Sequence, residues 1–308
     1  MFINGVFWLD IRHTIRYNET SYKTERHGGK MQFGIRLHDA VDLPIEERLK
    51  AVKEQGFKCA HIALSKVISE NSVANSALTP GYAMYLKRLF EKNEIDPAVL
   101  GCYLNLANPD PEQLKAIQEK YLANIRFAAH FGVGVVGTET GAPNTEYKFE
   151  EACWSEEALE IFIKNLRPVV KYAEQMGVLM AIEPVVRHIV CNPVRARRVL
   201  DEINSPNLRI ILDPVNLLEI YNYEKQDEII DQAIELLGKD VAVLHVKDFV
   251  IKDGKLVSVP VGQGQCHWDR IIPYMKKEKP FMHATLEDTK PDNAVAALNH
   301  IMEIYKNS

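Results

Sequence analysis

Short apolar runs alternate with longer amphipathic stretches along most of this chain. After Met31, eight runs rich in valine, isoleucine and leucine are apolar at consecutive positions rather than at every second one. Strands that are buried on both faces, as in a parallel sheet, have this pattern. The predicted strands are 33–37, 60–64, 98–104, 133–136, 178–182, 210–212, 241–246 and 281–286.

The stretches between the strands have helical periodicity and recognisable ends. Pro111 begins one stretch and Gly132 follows it, while Ser155 is a candidate N-cap for another that stops before Gly177. The predicted helices are 44–55, 111–131, 155–176, 193–203, 227–237 and 293–305. Alternating strands and helices predict an α/β fold, a single (β/α)₈ barrel over residues 31–308. An open doubly wound sheet is the alternative, but no GxGxxG motif follows the first strand.

The first thirty residues differ from the rest. After Leu9 they are polar, without helical or strand periodicity, and regular patterning resumes at Met31. We therefore predict an irregular N-terminal extension over residues 1–30. Two explanations stay open: the natural chain begins at Met31, or the extension is a genuine flexible segment.

Composition and charge narrow the function classes. The chain has 308 residues, of which 46% are hydrophobic and 26% charged, with a net charge of −5. The lack of a basic excess argues against a nucleic-acid partner. No apolar run approaches the ~20 residues of a membrane span, so no membrane partner is expected. Five scattered cysteines without a CxxC pair favour a reducing compartment, and we expect a cytoplasmic protein.

Four ionisable residues follow the last four predicted strands. Each marks the point where an apolar run meets the next loop, and together they are Glu183, Asp213, His245 and Glu287. The carboxyl ends of barrel strands converge on one face, where three carboxylates would repel one another without a cation. Any one of them alone has an ordinary structural explanation, but the joint pattern predicts a divalent metal site. Oxygen-rich ligands with one nitrogen suit Mn²⁺, Co²⁺ or Mg²⁺, with Zn²⁺ possible.

The same residues carry a family resemblance. Their order, the stretch His245-Val-Lys-Asp, the glycine loop 260–264 and the Trp268-Asp269 pair resemble the xylose isomerase-like TIM barrel superfamily of sugar phosphate isomerases and epimerases. D-tagatose 3-epimerase and inosose dehydratase are members. The resemblance extends from Met31 to the C-terminus, and its motifs are specific for the superfamily but not for a substrate.

The resemblance implies a divalent-metal-dependent sugar or sugar phosphate isomerase or epimerase, with a small carbohydrate as substrate. Glu183 and Glu287 would be the catalytic pair: one removes a proton beside a carbonyl, and the other returns one. The ion, held also by Asp213 and His245, would stabilise an enediolate. A lyase like inosose dehydratase, which expels a hydroxyl after the same proton abstraction, and a non-catalytic carbohydrate-binding barrel are the alternatives.

Other polar residues at the predicted rim are candidate substrate contacts. Lys247 lies two residues after His245 and should face the same side of its strand. Asn216 stands where the related nuclease endonuclease IV carries a histidine, which argues against a zinc nuclease. The predicted substrate-binding set is His38, Asn105, Glu139, Arg187, Asn216 and Lys247. His61 is expected at the far face with a structural role, and pairing of exposed helices makes a homo-oligomer possible.

Overall fold

The computed structural model describes residues 30–308, which form a closed parallel barrel. Around the barrel the strand order is β1-β10-β7-β6-β5-β4-β3-β2. The barrel strands are β1 (Gln32–Arg36), β2 (Cys59–Ile62), β3 (Asp96–Gly101), β4 (Val135–Glu139), β5 (Leu179–Glu183), β6 (Leu208–Leu212), β7 (Val241–Val246) and β10 (His283–Leu286). The predicted single-domain (β/α)₈ fold is confirmed.

The helices pack around the barrel. They are α1 (Ile45–Glu54), α2 (Leu64–Val67), α3 (Pro80–Lys92), α4 (Pro111–Phe131), α5 (Glu156–Met176), α6 (Pro193–Ile203), α7 (Gln226–Leu237), α8 (Trp268–Glu278) and α9 (Ala294–Asn307). The predicted helix ends of α5 are confirmed. The Ser155 hydroxyl accepts a hydrogen bond from the Ala158 amide, and Gly177 ends the helix in the left-handed conformation at φ 67°.

Three elements of the described chain were not predicted: α3, α8 and the antiparallel hairpin β8 (Asp248–Lys252) and β9 (Lys255–Val259). The hairpin projects from the carboxyl end of β7. Its two-residue turn, Asp253-Gly254, has positive φ at both positions, 51° and 70°. An Asp-Gly pair between apolar runs is a common hairpin signal, so the sequence did carry this information.

Alternation along the strands determines which side chains reach the barrel mouth. Successive side chains point to opposite faces of a strand. Cys59, Ala181, Ile211 and Val243 pack together inside the barrel, whereas their neighbours in sequence belong to the core between strands and helices. Two positions further along each strand, the inward face carries polar side chains. These are His61, Glu183, Asp213 and His245.

Two predictions fall outside this description or are touched only partly by it. Apart from Lys30, the predicted N-terminal extension lies outside the described residues. Within residues 30–308, no helix combines the length and the apolar character needed to cross a membrane.

Candidate active site

Three carboxylates and an imidazole meet at the carboxyl ends of β5, β6, β7 and β10. The His245 Nδ1 atom lies 3.2 Å from a carboxylate oxygen of Glu183 and 3.2 Å from one of Glu287. Asp213 completes the group, and the relative exposure of each of these four residues is 3% or less. We call these four residues the carboxylate cluster. The sequence prediction that they converge agrees with these distances.

Two basic side chains balance the cluster. The Lys247 ammonium lies 2.9 Å from Asp213 Oδ2 and 3.3 Å from Glu287 Oε2. The Arg36 guanidinium, from the end of β1, lies 3.1 Å from Glu287 and forms further ion pairs with Asp39 and Asp288, each at 2.8 Å. Buried carboxylates require such partners because desolvated charge is costly. With Lys247 and Arg36 included, three negative charges face two positive ones.

The neighbours of each group set its protonation. Burial alone would lower the pKa of His245, but the Glu287 and Glu183 carboxylates raise it to about 9. Burial raises the pKa of Asp213 to about 6 although Lys247 opposes this shift. Burial would also raise the pKa of Glu287, but His245, Lys247 and Arg36 together hold it well below its usual range. Without a bound ion, therefore, His245 carries a proton between two glutamates.

Local structure fixes the orientation of two cluster members. After β6 the chain turns at Asp213-Pro214, and Asp213 Oδ1 accepts hydrogen bonds from the Val215 and Asn216 amides at 2.9 and 3.3 Å. The Asn216 side chain then donates to Glu183 Oε1 at 2.8 Å. Asn216, a predicted substrate contact, thus orients a carboxylate of the cluster.

The cluster has the features of a divalent-metal site. Ligand atoms of Glu183, Asp213 and His245 lie within 4.8 Å of one another, as do those of His61, His245 and Glu287. Asp213 Oδ2 and His245 Nε2 are buried without a hydrogen-bond partner. Unsatisfied buried polar atoms are rare in native structures and call for a missing ligand. The donor set of oxygens with one nitrogen therefore fits the ion expected from the sequence.

His61 lies in the site, and the expectation that it faces the opposite end of the barrel is wrong. β2 ends at Ile62, so His61 occupies an inward position next to the mouth. Its ring stacks on that of His245 with centroids 5.2 Å apart, and its Nε2 atom lies 3.1 Å from the Tyr103 hydroxyl. Gly101 permits this packing, because a Cβ atom there would lie 2.5 Å from His61 Nε2. The strand was predicted two residues too long, which misplaced its mouth end.

His38 also borders this side of the mouth. It lies in a short 3₁₀ turn just after β1, and its ring makes an edge contact with His61 at 6.3 Å. Burial and the charge of Arg36 lower the pKa of His38 to about 4, so its imidazole is neutral at pH 7. Its Nδ1 atom has no hydrogen-bond partner. A neutral imidazole with a free nitrogen suits a sugar hydroxyl.

Glu139 stands beside the cluster at the end of β4. It is the register partner of Glu183, and its Oε2 accepts a hydrogen bond from the Tyr147 hydroxyl at 3.2 Å. Burial and the Glu183 charge raise the pKa of Glu139 to about 7. His188 Nδ1 lies 3.9 Å away. Glu139 is one-third exposed, so its carboxyl group can reach a bound ligand.

Asn105 and Arg187 are held by other partners. The Asn105 amide donates to the carbonyls of Ala142 and Asn144, and its oxygen accepts from the amides of Ala107 and Ala142. A sugar contact through Asn105 would require one of these bonds to break. Arg187 is 59% exposed at its side chain and pairs with Glu219 at 2.8 Å.

The glycine loop after the hairpin is tied to the end of β7. Asp248 is buried, and its carboxylate accepts hydrogen bonds from the amides of Phe249, Gly262 and Cys266. The Trp268 indole donates to the Lys247 carbonyl at 2.9 Å. These bonds fix the backbone on both sides of Lys247. The motif shared with the family thus has a structural explanation in this chain.

Comparison with solved structures yields the same barrel at low sequence identity. The IolI protein with a bound zinc atom superposes with a TM-score of 0.71 at 18% identity, covering 90% of this chain and 99% of that one. D-psicose 3-epimerase with D-tagatose from Clostridium cellulolyticum H10 gives 0.67 at 17% identity, covering 89% and 99%. The 3-keto-D-glucoside 4-epimerase from E. coli gives 0.67 at 14% identity, covering 89% and 100%.

Sequence comparisons give one assignment. No curated protein matches the chain. A family model described as xylose isomerase-like TIM barrel matches residues 49–304, which is most of the barrel. The resemblance inferred from the sequence is thereby confirmed. The chain belongs to the xylose isomerase-like TIM barrel family.

Proposed function

We propose that this protein is a divalent-metal-dependent sugar isomerase or epimerase that works by proton transfer between carboxylates. The observation that carries the proposal is the carboxylate cluster, in which two glutamates from β5 and β10 flank one imidazole at 3.2 Å each. The solved relatives include epimerases of D-psicose and of a 3-keto-D-glucoside, and a zinc-binding protein. Their printed activities support the same class of chemistry here.

Glu183, Asp213, His245 and Glu287 are the proposed ligands of the ion. A divalent ion bound there supplies positive charge that stabilises an enediolate. Mn²⁺, Co²⁺ or Mg²⁺ suits the oxygen-rich set, and Zn²⁺ is also compatible with it. Before an ion binds, His245 must release the proton that it shares with the two glutamates, because a metal ligand must be deprotonated.

Glu183 and Glu287 are the proposed catalytic residues. One removes the proton beside the substrate carbonyl, and the other returns a proton to the enediolate. Positioned general bases contribute about 10²–10⁴-fold to such rates. Lys247 reaches the same carboxylates, at 2.9 and 3.3 Å, so its ammonium is placed to hold a substrate oxygen near them.

The remaining contacts would orient the sugar. The neutral imidazoles of His38 and His61 offer free ring nitrogens on one side of the mouth. Glu139 offers a carboxyl on the other side, and Asn216 orients Glu183 through its 2.8 Å hydrogen bond. Arg187 lies further out on the rim. Small carbohydrates are bound by several such polar groups around a largely preformed pocket.

Isotope incorporation tests the proposed reaction. The Mn²⁺-loaded protein is incubated in deuterated water with a panel of free and phosphorylated ketoses and with an inosose. We expect one substrate to acquire deuterium at the carbon next to its carbonyl while its mass otherwise stays constant. Loss of water from the product would assign a lyase instead. No exchange with any member of the panel, with or without Mn²⁺, would contradict an isomerase acting on these sugars.

A further inference from the structure

A groove on the rim of the barrel lies next to the carboxylate cluster without including it. We call it the rim groove; it runs between the loops after β5 and β6 and the β8–β9 hairpin. It has a volume of about 460 Å³. The side chains used below are Val185, Asn216, Leu218, Ile220, Leu256 and Ser258. Because none of the four cluster residues lines it, this space is additional to any at the cluster.

Two hydrogen bonds connect the rim groove to the proposed catalytic glutamates. Asn216 lines the groove and donates to Glu183 Oε1 at 2.8 Å. Ser258 lines it from the hairpin and bonds to Asp288, the residue after Glu287. A sugar held at the two glutamates would therefore direct one of its substituents into the groove.

The lining indicates an uncharged occupant. Val185, Leu218, Ile220 and Leu256 contribute apolar surface, and Leu256 packs on the small cluster that contains Leu218. The Arg187 guanidinium pairs with Glu219 across the groove wall at 2.8 Å, so these two charges neutralise each other. Pockets of about 300–1,000 Å³ with mainly apolar walls accommodate compact organic groups. A free monosaccharide has no group to fill this volume.

We infer that the rim groove binds the aglycone of a glycoside whose sugar lies at the carboxylate cluster, an inference that rests on the proposed function. A glycosidic bond locks the anomeric carbon, so the carbonyl must be a ketone at another ring carbon. The neighbouring C–H proton passes to one glutamate while its electron pair moves toward the ketone oxygen. Return of a proton to the other face of that carbon inverts it. No oxidant is consumed; an earlier dehydrogenation of a ring hydroxyl must supply the ketone.

Ligand-observed NMR titrations of the Mg²⁺-loaded protein test the groove without requiring turnover. The probes are phenyl β-D-glucoside, octyl β-D-glucoside, glucose and glucose 6-phosphate. We expect a glucoside to bind about tenfold more tightly than glucose, because an apolar group leaves water. Leu256→Arg should lower glucoside affinity to that of glucose and leave glucose unaffected. Ile220→Arg, in a separate loop, should do the same if the hairpin of the first variant is disturbed.

Val257→Arg is the matched control. Val257 is the next residue of β9, points to the other face and is 39% exposed outside the groove, so the change should leave all four affinities unaltered. Equal affinity for the glucosides and glucose would overturn the inference, as would equal losses in Leu256→Arg and Val257→Arg. Preferential binding of glucose 6-phosphate would assign an anion to the groove and also overturn it.

A second readout separates this inference from the proposed function. The 3-keto form of the better-bound glucoside is incubated with the Mn²⁺-loaded protein in deuterated water. Glucoside binding that depends on Leu256, without deuterium exchange into this compound or the ketose panel, retains the groove and rejects the isomerase. Exchange into a free ketose with no preference for the glycoside retains the isomerase and rejects the groove.

Discussion

His61 and His245 are both fully buried, and their rings stack 5.2 Å apart, yet they differ in protonation. Burial without an adjacent acid in contact holds the pKa of His61 well below its usual range. His245 contacts Glu183 and Glu287, and these carboxylates raise its pKa to about 9 in spite of burial. Contact with an acid, rather than burial, thus decides which imidazole carries charge.

This contrast extends across the mouth of the barrel. On one side, β5, β6, β7 and β10 bring together charged groups that suit an ion and proton transfer. On the other side, His38 and His61 are neutral donors and acceptors that suit hydroxyl groups. The same alternation of inward side chains produces both sides. The division of labour therefore comes from residue identity at equivalent strand positions and not from a difference in fold.

The largest effect should come from neutralising the charged side. We expect Glu183→Gln and Glu287→Gln each to reduce kcat by about 10³–10⁴-fold, because an amide cannot accept the proton. The fold should persist, since an amide has nearly the same shape. Steady-state kinetics and thermal melts provide the measurement, and Glu202→Gln, an exposed glutamate away from the site, is the control. Full activity in either cluster variant would remove that glutamate from the mechanism.

Metal affinity should rise steeply with pH. In the metal-free protein His245 holds a proton below about pH 9, and Asp213 holds one below about pH 6. Both must leave before the ion binds, so acid weakens binding. We expect the Mn²⁺ association constant to increase about tenfold per pH unit between pH 6 and 9, and more steeply below 6. Calorimetric titrations at several pH values test this, and a flat profile would contradict protonation of His245.

Lys247 should compete with the ion for the same carboxylates. Its ammonium lies 2.9 Å from Asp213, so Lys247→Met leaves the cluster with excess negative charge. We expect Mn²⁺ to bind about tenfold more tightly and the metal-free protein to lose about 3 kcal/mol of its free energy of unfolding. Lys255→Met, at the exposed hairpin turn, is the control. Weaker Mn²⁺ binding in Lys247→Met would mean that the lysine supports the ion.

The smallest effect should come from the neutral side. His61→Phe keeps a ring against His245 but removes the ring nitrogens. We expect unchanged Mn²⁺ affinity and a rise in KM of less than about tenfold, the value of one hydrogen bond. His245→Phe, its matched partner in the stack, should abolish Mn²⁺ binding. Equal loss of the ion in both variants would show that His61 is a ligand, and the two sides would then not be distinct.

The charged side could be predicted from the sequence because its residues follow well-marked apolar runs. Each of β5, β6 and β7 ends within one or two residues of the predicted boundary, so Glu183, Asp213 and His245 were assigned to the mouth. β2 has only four residues, and the apolar character continues into α2, which hid the position of His61. Short strands give too little periodicity to locate their ends.

The missed elements share a local cause. Pro80-Gly81 begins α3, and such a pair usually marks a turn, while Pro273 lies inside α8. The hairpin follows β7 directly, so its first strand was merged with the motif around Lys247. Side-chain orientation was also beyond the sequence: Asn105 and Asn216 are both rim amides, but one holds backbone and the other holds Glu183.

Metal content is the most direct test of the account. The wild-type protein and Asp213→Ala are purified without chelator, and bound ions per chain are measured by elemental analysis, with Tm recorded before and after Mn²⁺ addition. We predict about one divalent ion per wild-type chain, a higher Tm with Mn²⁺, and loss of both in the variant. No bound ion and no change in Tm for the wild-type protein would contradict a metal site at the carboxylate cluster.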